Sequence, residues 1–362
     1  MSTAVLAGVL CRPGPPERGW VAWEDGALVD VQDGAPPPGS EDVGDAVLAP
    51  AFLDLQLNGS EDVDLATADG AAWAALGSRL ARHGVAAYLA TFVSAPLDSY
   101  DAVLRHLTAA RRELAPRSAC PLGAHLEGPF LGAAPGAHPV ELLRPADLVW
   151  LERLFDAHPG LVRMVTLAPE ADPELRAGTW LAAHGVLVAL GHSMAGADEA
   201  RAAADAGARV VTHVFNGLGP LHHRAPGLAG VALDDDRLTP TLIGDFVHVD
   251  PTVARIVFAA SRTVALVSDA VATPPDRRRD DAARLADGRL VGATALLDDA
   301  VANLVGAGVP IQRVVAAAST TPADLIGATD RGRLEPGRRA DLVVLDPGTG
   351  RLRRVVLGGD DL

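Results

Sequence analysis

Two histidines occupy equivalent positions, each at the end of a short apolar run. His192 follows the run Val186–Leu190, His213 ends the run Val210–His213, and an Ala-rich helical segment lies between them. Two strands joined by a helix of this length form a βαβ unit, so they are parallel and adjacent. Their carboxyl ends then lie about 4.8 Å apart, a gap that a divalent ion with His nitrogens at about 2.1 Å can bridge. Two unrelated histidines are the alternative, and the equivalent placement favours a metal site.

Glu127 is a third candidate ligand. It follows an apolar run in the segment HLEGPF and precedes a Gly-Pro turn. One carboxylate and two imidazoles leave a coordination position for water, as catalytic zinc sites require, and the ion lowers the pKa of that water toward about 7. An exposed loop glutamate paired with an arginine is the alternative.

Asp269 ends the apolar segment VALVSD and is the candidate general base. A carboxylate beside an activated water can take its proton and later pass it to a leaving amine. A helix N-cap or a structural salt bridge is the alternative, and the position at a strand end favours the catalytic interpretation.

A group of basic side chains could recognise a polar or anionic substrate. His222, His223 and Arg224 are consecutive, and His248 follows a later apolar run. Arginine offers planar, bidentate recognition of phosphate or carboxylate. His138, in the segment GAHPV, could polarise a substrate carbonyl. For His222 and His223 a solvated surface loop remains an equal alternative.

These side chains need a scaffold that gathers strand ends. Short apolar runs alternate with helical segments between residues 50 and 333. This alternation predicts a (β/α)8 TIM barrel, whose chemistry sits at the carboxyl ends of its strands. The predicted strands are Ala51–Leu57, Val85–Phe92, Leu122–His125, Val162–Leu167, Val186–Leu190, Val210–His213, Thr241–Val247 and Val264–Ser268. The predicted helices are Ala71–His83, Asp98–Leu114, Pro145–Ala157, Pro173–His184, Ala197–Ala206, Pro251–Ala260, Asp299–Leu304, Ile311–Ala318 and Pro322–Ile326.

The two ends of the chain have a different pattern. Residues 1–49 and 334–362 contain short alternating segments separated by Gly- and Pro-rich turns. This pattern predicts strands, and we expect both termini to build one small β-sandwich-like domain beside the barrel of residues 50–333.

Composition excludes several classes of protein. Against 46 acidic residues the chain has 31 basic ones, giving a net charge of −15, which argues against nucleic acid or an anionic membrane as partner. Every one of those basic residues is arginine. The absence of lysine excludes Schiff-base and pyridoxal phosphate chemistry, a P-loop lysine and a carboxylated lysine bridging two metals. Two isolated cysteines, Cys11 and Cys120, fit a reducing cytoplasm, and we find no signal peptide or membrane span.

Seven motifs, in order along the chain, match a known family. They are APAFLDLQLNG, HLEGPF, GHSMAGADEA, THVFNGLGPLHHRAPGLAG, HVDP, VSDA and RGRLEPGRRADLVVLD. With these motifs the chain resembles the N-acetylglucosamine-6-phosphate deacetylases of the amidohydrolase superfamily. The resemblance implies hydrolysis of the acetamide of N-acetylglucosamine 6-phosphate to glucosamine 6-phosphate and acetate, in amino-sugar catabolism.

The resemblance also assigns roles to individual residues. It implies that Glu127, His192 and His213 bind the metal, that Asp269 is the catalytic acid and base, and that His138 contacts the acetamide carbonyl. Positions that contact sugar or phosphate correspond to Ala137, His138, Asn216, Gly217, His248 and Leu296. Arg224 matches an arginine that reaches the phosphate in the neighbouring subunit, which implies a homodimer.

The resemblance is incomplete at several positions. Gln56 and Asn58 stand where many superfamily members carry the His-x-His of a second metal. We therefore expect one divalent ion, with Zn²⁺ favoured and Fe²⁺, Co²⁺ and Mn²⁺ open. The chain also departs from the family at Ser60–Asp62, Gly217 and Leu296. These departures leave the identity of the sugar substrate undecided. Another N-acyl amino sugar or an N-acyl amino acid is the first alternative substrate, and a catalytically inactive barrel with a binding role is the second alternative.

Overall fold

A parallel sheet that curls around an apolar centre dominates the structure. The protein is described by a computed structural model covering residues 3–12, 14–114, 117–273, 278–279 and 282–362. The eight strands of the curl are parallel neighbours, each pairing with the next along the chain. With labels in chain order, they are β5 (Phe52–Glu61), β7 (Val85–Phe92), β8 (Cys120–Glu127), β9 (Val162–Leu167), β10 (Leu187–Leu190), β11 (Val210–Val211), β12 (Thr239–Ile243) and β13 (Ala265–Val267).

Five shorter strands extend the curled sheet near its carboxyl edge. Strand β14 follows β13 directly and pairs with β5, while the next strands form an antiparallel extension beyond β14. These strands are β6 (Val63–Asp64), β14 (Ala270–Ala272), β15 (Arg278–Arg279), β16 (Ala282–Arg284) and β17 (Leu290–Ala293).

Helices follow most of the curled strands and pack their buried faces against the outside of the sheet. The described helices are α1 (Gly70–Arg82), α2 (Tyr100–Glu113), α3 (Leu148–Ala157), α4 (Arg176–Ala183), α5 (Ala197–Asp205), α6 (Gly227–Asp234), α7 (Pro251–Ala260), α8 (Leu297–Gly306), α9 (Ile311–Ala318) and α10 (Thr320–Leu325), with 3₁₀ turns at Val140–Leu142 and Pro169–Ala171. Within the described ranges these helices are too short or too polar to cross a membrane.

Most predicted elements are confirmed, and the differences have local causes. Helix α6 was not predicted, because its glycines and the preceding Pro226 disfavour a helix by propensity. Strand β11 ends at Val211, so His213 lies beyond the strand in a turn. Strand β12 ends at Ile243 rather than Val247, and the loop that follows carries His248.

Both termini join in one separate mixed sheet. Its strands are β1 (Ala4–Leu10), β2 (Glu17–Glu24), β3 (Ala27–Asp33), β4 (Glu41–Pro50), β18 (Leu342–Leu345), β19 (Leu352–Leu357) and β20 (Asp360–Asp361). The order across the sheet is β20-β19-β18-β4-β1-β2-β3. The two ends of the chain meet where β4 pairs with β18, and β4 leads directly into β5.

Apolar side chains fill the centre of the curled sheet below its carboxyl edge. Leu53, Leu55, Leu89 and Met164 belong to this cluster and are at most 1% exposed. A second, larger cluster lies between the sheet and the helices. The polar residues at the carboxyl edge therefore rest on a packed layer that cannot hold water.

A β-bulge in β5 carries two polar side chains to that edge. The register of β5 against β7 shifts between Asp54 and Leu57, and bulges of this kind redirect side chains near active sites. Asp54 is fully buried, and its Oδ1 accepts hydrogen bonds from the backbone N–H of Gln56 at 3.1 Å and of Ser268 at 3.2 Å. One carboxylate thus holds the bulge and the segment before Asp269 together.

We expect Asp54→Ala to lower the free energy of unfolding by about 2–6 kcal/mol, since two buried N–H groups lose their acceptor at about 1–3 kcal/mol each. Urea unfolding of the metal-free protein measures the change. Asp45→Ala, at an exposed position of β4, is the control and should stay within about 0.5 kcal/mol of the parent. Equal stability of the two variants would contradict the role assigned to Asp54.

Candidate metal centre and active site

A cavity of about 360 Å³ opens at the carboxyl edge of the curled sheet. Pockets of this size suit a small-molecule ligand. Most of the site residues predicted from sequence line it, although they come from distant parts of the chain. They are Glu127, Ala137, His138, His192, His213, Asn216, Gly217, His248 and Asp269.

Three of these side chains converge on one point. The ligand atoms of Glu127, His192 and His213 all lie within 4.8 Å of one another. Oε1 of Glu127 is 2.9 Å from Nε2 of His213 and 3.3 Å from Nε2 of His192. The three side chains are 4–7% exposed, so solvent does little to compensate their charge.

Backbone carbonyls fix which imidazole nitrogens face the centre. Nδ1 of His192 is 3.2 Å from the carbonyl oxygen of Ala134, and Nδ1 of His213 is 3.1 Å from that of Asn216. A carbonyl only accepts, so each Nδ1 carries a proton and each Nε2 is the nitrogen that faces Glu127. A buried carboxylate that faces two imidazole nitrogens is stabilised by positive charge, either a proton on an imidazole or a cation held between the three groups. The donor set and its outer hydrogen bonds fit a divalent metal.

Burial, hydrogen bonds and neighbouring charges together set the ionisation of this cluster. Burial disfavours the charged carboxylate of Glu127, but hydrogen bonds and charge from His192 and His213 outweigh it and hold the pKa of Glu127 well below its usual range. Burial likewise disfavours protonated His213, yet the hydrogen bond with Glu127 and the charges of Glu127 and Asp269 raise the pKa of His213 to about 9. Positive charge is therefore favoured at this point.

Strained backbone turns three site residues toward the centre. His192, His213 and Asp269 have φ angles of 50°, 26° and 49°, a region that residues other than glycine seldom adopt. Each follows the end of its strand, so the turn swings the side chain over the sheet edge. Strain of this kind persists where the surroundings enforce it, commonly at functional sites.

Two amides hold Asp269 in place. Its Oδ1 accepts hydrogen bonds from Nδ2 of Asn58 at 2.9 Å and from Nε2 of Gln56 at 3.3 Å. Gln56 also donates to Oε1 of Glu127 at 2.8 Å, and its own oxygen accepts from Thr212 at 2.9 Å. Burial, followed by the negative charge of Glu127, raises the pKa of Asp269 to about 7.

His138 is held as a neutral hydrogen-bond donor. The backbone N–H of Ser94 donates to Nδ1 at 3.4 Å, and the Ser94 hydroxyl lies 2.9 Å from the same nitrogen. An Nδ1 that accepts leaves the proton on Nε2, which lies 3.8 Å from Oε2 of Glu127. Burial, together with the charge of His192, lowers the pKa of His138 to about 3, so the ring stays uncharged beside the centre.

The opposite wall of the cavity is formed by loops after β11 and β12. Nδ1 of His248 is 2.7 Å from Oδ2 of Asp245, and these side chains are 4% and 2% exposed. Asp245 thereby fixes the orientation of His248. Burial disfavours the charged form of Asp245, but the hydrogen bond and charge of His248, together with two backbone hydrogen bonds, outweigh it and lower the pKa of Asp245 below the usual range.

Two predicted residues lie outside the cavity lining. Arg224 is exposed, contacts His223 at 2.8 Å and lines a separate surface groove with Met194. Leu296 is 5% exposed and precedes α8 as its N-cap residue. An arginine that serves another subunit need not face its own cavity, and the predicted substrate contact of Leu296 stays a prediction.

Sequence reasoning missed several residues of the site. Asp245 could have been found from its position three residues before His248, a spacing that suits a local hydrogen bond. Thr91 lies near the carboxyl end of β7 and lines the cavity, and Ser94 follows that strand, so the strand-end rule could have pointed to both. Asp64 also lines the cavity, from the short hairpin that β6 forms with β5.

Comparison with known proteins gives one consistent family. The model of the amidohydrolase family matches residues 47–360. An N-acetylgalactosamine-6-phosphate deacetylase of Escherichia coli O157:H7 is 36% identical over 354 residues, covering 92% of this chain and 93% of the relative. An N-acetylglucosamine-6-phosphate deacetylase of Bos taurus is 35% identical over 342 residues, covering 84% and 81%.

Solved structures agree with the sequence relatives. An N-acetylglucosamine-6-phosphate deacetylase mutant of Mycobacterium smegmatis, solved in complex with N-acetylglucosamine 6-phosphate, superposes with a TM-score of 0.90 at 30% identity, covering 100% of this chain and 99% of that one. The Thermotoga maritima enzyme gives 0.84 at 29% identity and 98% coverage of both chains. Because the family model and relatives above 30% identity span most of its length, this chain belongs to the amidohydrolase family.

Proposed function

We propose that this protein hydrolyses the acetamide of N-acetylglucosamine 6-phosphate, giving glucosamine 6-phosphate and acetate. The observation that carries the proposal is the convergence of Glu127, His192 and His213 in a cavity that Asp269 and His138 also line. The similarity to deacetylases named for this sugar phosphate supports the substrate. The 36% identical Escherichia coli relative supports N-acetylgalactosamine 6-phosphate, the 4-epimer, as the second candidate.

One divalent ion is proposed as cofactor, held by Glu127, His192 and His213. A donor set of two imidazoles and one carboxylate suits Zn²⁺, while Fe²⁺, Co²⁺ and Mn²⁺ also bind such donors. Gln56 donates a hydrogen bond where many superfamily members place a second metal ligand, which supports a single ion. When bound, the ion acts as a Lewis acid toward water and the substrate carbonyl.

Asp269 is proposed as the general base and acid. Its Oδ1 already accepts from Asn58 and Gln56, so Oδ2 is the oxygen left to take a proton from the attacking water. The same oxygen then returns that proton to the departing nitrogen, which leaves as an amine. Because burial holds the pKa of Asp269 at about 7, the carboxylate can both take and release a proton near neutral pH.

His138 is proposed to stabilise the oxygen of the tetrahedral intermediate. Its Nε2–H faces the cavity because Nδ1 accepts from the Ser94 backbone. A neutral, preorganised donor strengthens its hydrogen bond as the acetamide oxygen gains charge. Ala137, beside it, also lines the cavity.

The phosphate is proposed to bind at His248, Asn216 and Gly217, with Arg224 supplied by a second subunit. Asp245 holds Nδ1 of His248, which leaves Nε2 for the substrate. The described lining contains histidines but no arginine, and a phosphate dianion is commonly matched by an arginine. The exposed position of Arg224 suits donation across a homodimer interface.

The scaffold is proposed to be a closed (β/α)8 barrel of residues 50–333 with a small, sandwich-like β-domain of residues 1–49 and 334–362. Closure is supported where the backbone N–H of Asp269 donates to the carbonyl of Gln56 at 2.9 Å, linking the last curled strand to the first. Cys11 and Cys120 are both free thiols, which supports a cytoplasmic location.

Free amine should be released from N-acetylglucosamine 6-phosphate by the purified protein, and a chelator should abolish the release. Adding back Zn²⁺, Fe²⁺, Co²⁺ or Mn²⁺ should restore it and identify the metal. The 4-epimer and unphosphorylated N-acetylglucosamine, assayed in parallel, decide between the candidate sugars and measure the contribution of the phosphate. No release from either sugar phosphate with any of these ions would contradict the proposed function.

Asp269→Asn should lower kcat by about 10²–10⁴-fold, the usual contribution of general acid–base catalysis. Metal content should remain that of the parent, because Asp269 is not among the proposed ligands. Turnover and metal analysis of the same preparations provide the measurement. Asp45→Asn, at an exposed strand position, is the matched control, and turnover of Asp269→Asn equal to that control would refute the role.

Arg224→Ala should raise KM by about 10- to 100-fold, the value of a lost charged hydrogen bond. Mixing it with Asp269→Asn subunits tests donation between subunits. A mixed dimer has one site with intact Asp269 that receives Arg224 from its partner, so statistical mixing should give about a quarter of the parent rate. A mixture no more active than its two components would show that Arg224 serves its own subunit.

A further inference from the structure

Glu170 lies next to the candidate metal centre but has no part in the chemistry proposed above. It sits in the 3₁₀ turn Pro169–Ala171, which follows β9. Strand β9 lies between β8, which ends at Glu127, and β10, which leads to His192. Glu170 therefore stands between the loops that carry two of the three proposed ligands.

The carboxylate of Glu170 accepts hydrogen bonds from both of those loops. Oε1 accepts from the backbone N–H of Met194 at 2.8 Å and from that of Ala133 at 3.4 Å, and Oε2 accepts from the Ser193 hydroxyl at 2.5 Å. All three donors are neutral, and an ionised acceptor makes such bonds roughly twice as strong. One side chain thus joins the loop before His138 to the loop after His192.

A glycine makes room for this contact. A Cβ on Gly132 would lie 2.0 Å from Oε1 of Glu170 and 2.3 Å from its Cδ. Real side chains do not approach so closely, so position 132 must lack one for Glu170 to reach Ala133. A glycine at position 132 is therefore needed for the carboxylate of Glu170 to pack against this loop.

The bonds of Glu170 continue directly to the metal ligand. Gly132 donates its backbone N–H to the carbonyl of His192 at 2.9 Å, and the Ala134 carbonyl accepts from Nδ1 of His192. The carbonyl that accepts a hydrogen bond from Nδ1 of His192 therefore belongs to the loop that Glu170 holds. That carbonyl and the His192 backbone would move together if the loop shifted.

The same carboxylate also reaches the loop that carries Asn216 and Gly217. The backbone N–H of Ser193 donates to the Gly217 carbonyl at 3.0 Å, and that of Gly219 donates to the Ser193 carbonyl at 3.0 Å. Ser193 is fully buried, and its hydroxyl donates to Glu170. Two loops therefore donate to Glu170 directly, and the third is connected to it through Ser193.

We propose that Glu170 is a positioning residue that sets the orientation of His192 by joining the 132–134 and 193–195 loops directly and the 217–219 loop through Ser193. It is not one of the proposed metal ligands, and it is not among the described residues that line the cavity. The consequence for metal affinity rests on the proposed function of Glu127, His192 and His213, whereas the clamp itself stands on the hydrogen bonds alone.

Glu170→Gln tests the clamp with little change of shape. The amide can accept through only one atom, so at least one of the three donors loses its partner. Amide hydrogen exchange of the metal-free protein in the segments 130–137 and 191–196 should become about 10-fold faster or more. The dissociation constant for Co²⁺, measured by competition with a chromophoric chelator, should rise about 10- to 100-fold, as for other outer-shell partners of metal ligands.

Matched variants separate positioning from general stability. Glu174→Gln makes the same charge change at an exposed residue nearby and should leave exchange and Co²⁺ affinity unchanged. Ser193→Ala removes one donor and should shift both readouts in the same direction by a smaller factor. Glu170→Asp keeps the charge and should restore part of the Co²⁺ affinity. With N-acetylglucosamine 6-phosphate, Glu170→Gln should lower kcat more than it raises KM.

Two results would overturn the inference. One is a Co²⁺ dissociation constant of Glu170→Gln within two-fold of Glu174→Gln, whether or not exchange is faster, since Glu170 would then only stabilise loops. The other is unchanged exchange, which would remove the clamp. A parent protein that binds no divalent ion would instead refute the proposed metal centre, and the exchange result would then decide the clamp by itself.

Discussion

The buried carboxylate of Glu127, with two imidazole nitrogens turned toward it, is the constraint on which the rest of the site depends. The side chain of Glu127 is 4% exposed, and burying its negative charge costs free energy unless positive charge lies nearby. The carbonyls of Ala134 and Asn216 keep the Nδ1 protons of His192 and His213 away from the centre. The backbone of these loops therefore helps to orient the three side chains that could hold a metal ion, so a change of loop conformation should also change the proposed metal site.

The neutral side-chain amides of Gln56 and Asn58 occupy the positions where many superfamily members carry ligands for a second metal. Gln56 bridges Glu127 and Asp269, and Asn58 supports Asp269 from the other side. Hydrogen bonds thus keep two carboxylates near each other without a second metal, which leaves Asp269 buried and harder to ionise. The bulge at Asp54 makes this possible, because it brings Gln56 to the edge of the sheet. The bulge in β5 thus helps to set the pKa of Asp269, the proposed base.

The sequence was most informative where strand polarity decides position. His192 and His213 were predicted to be neighbours because parallel strands joined by a helix place their ends together, and Glu127 and Asp269 followed from the same rule. Asp245 was missed although its spacing from His248 offered a local signal, whereas the contacts of Glu170 depend on loop paths that no periodicity records. Leu296, which the resemblance places at the substrate, is buried at the start of α8, and its contact with substrate stays a prediction. The predicted end of a strand was wrong where a turn with positive φ ends the strand early, as at His213.

The pairing of β4 with β18 has a consequence for how the protein is made. The strand that leads into Gln56 and Asn58 gains its antiparallel neighbour only from residues 342–345. A ribosome therefore releases almost the whole curled sheet before that edge of β4 can be covered. Until then an apolar strand edge stays open to other chains, the usual starting point of aggregation. Newly made chains should therefore need this edge protected by chaperones from early in synthesis until residues 342–345 have emerged.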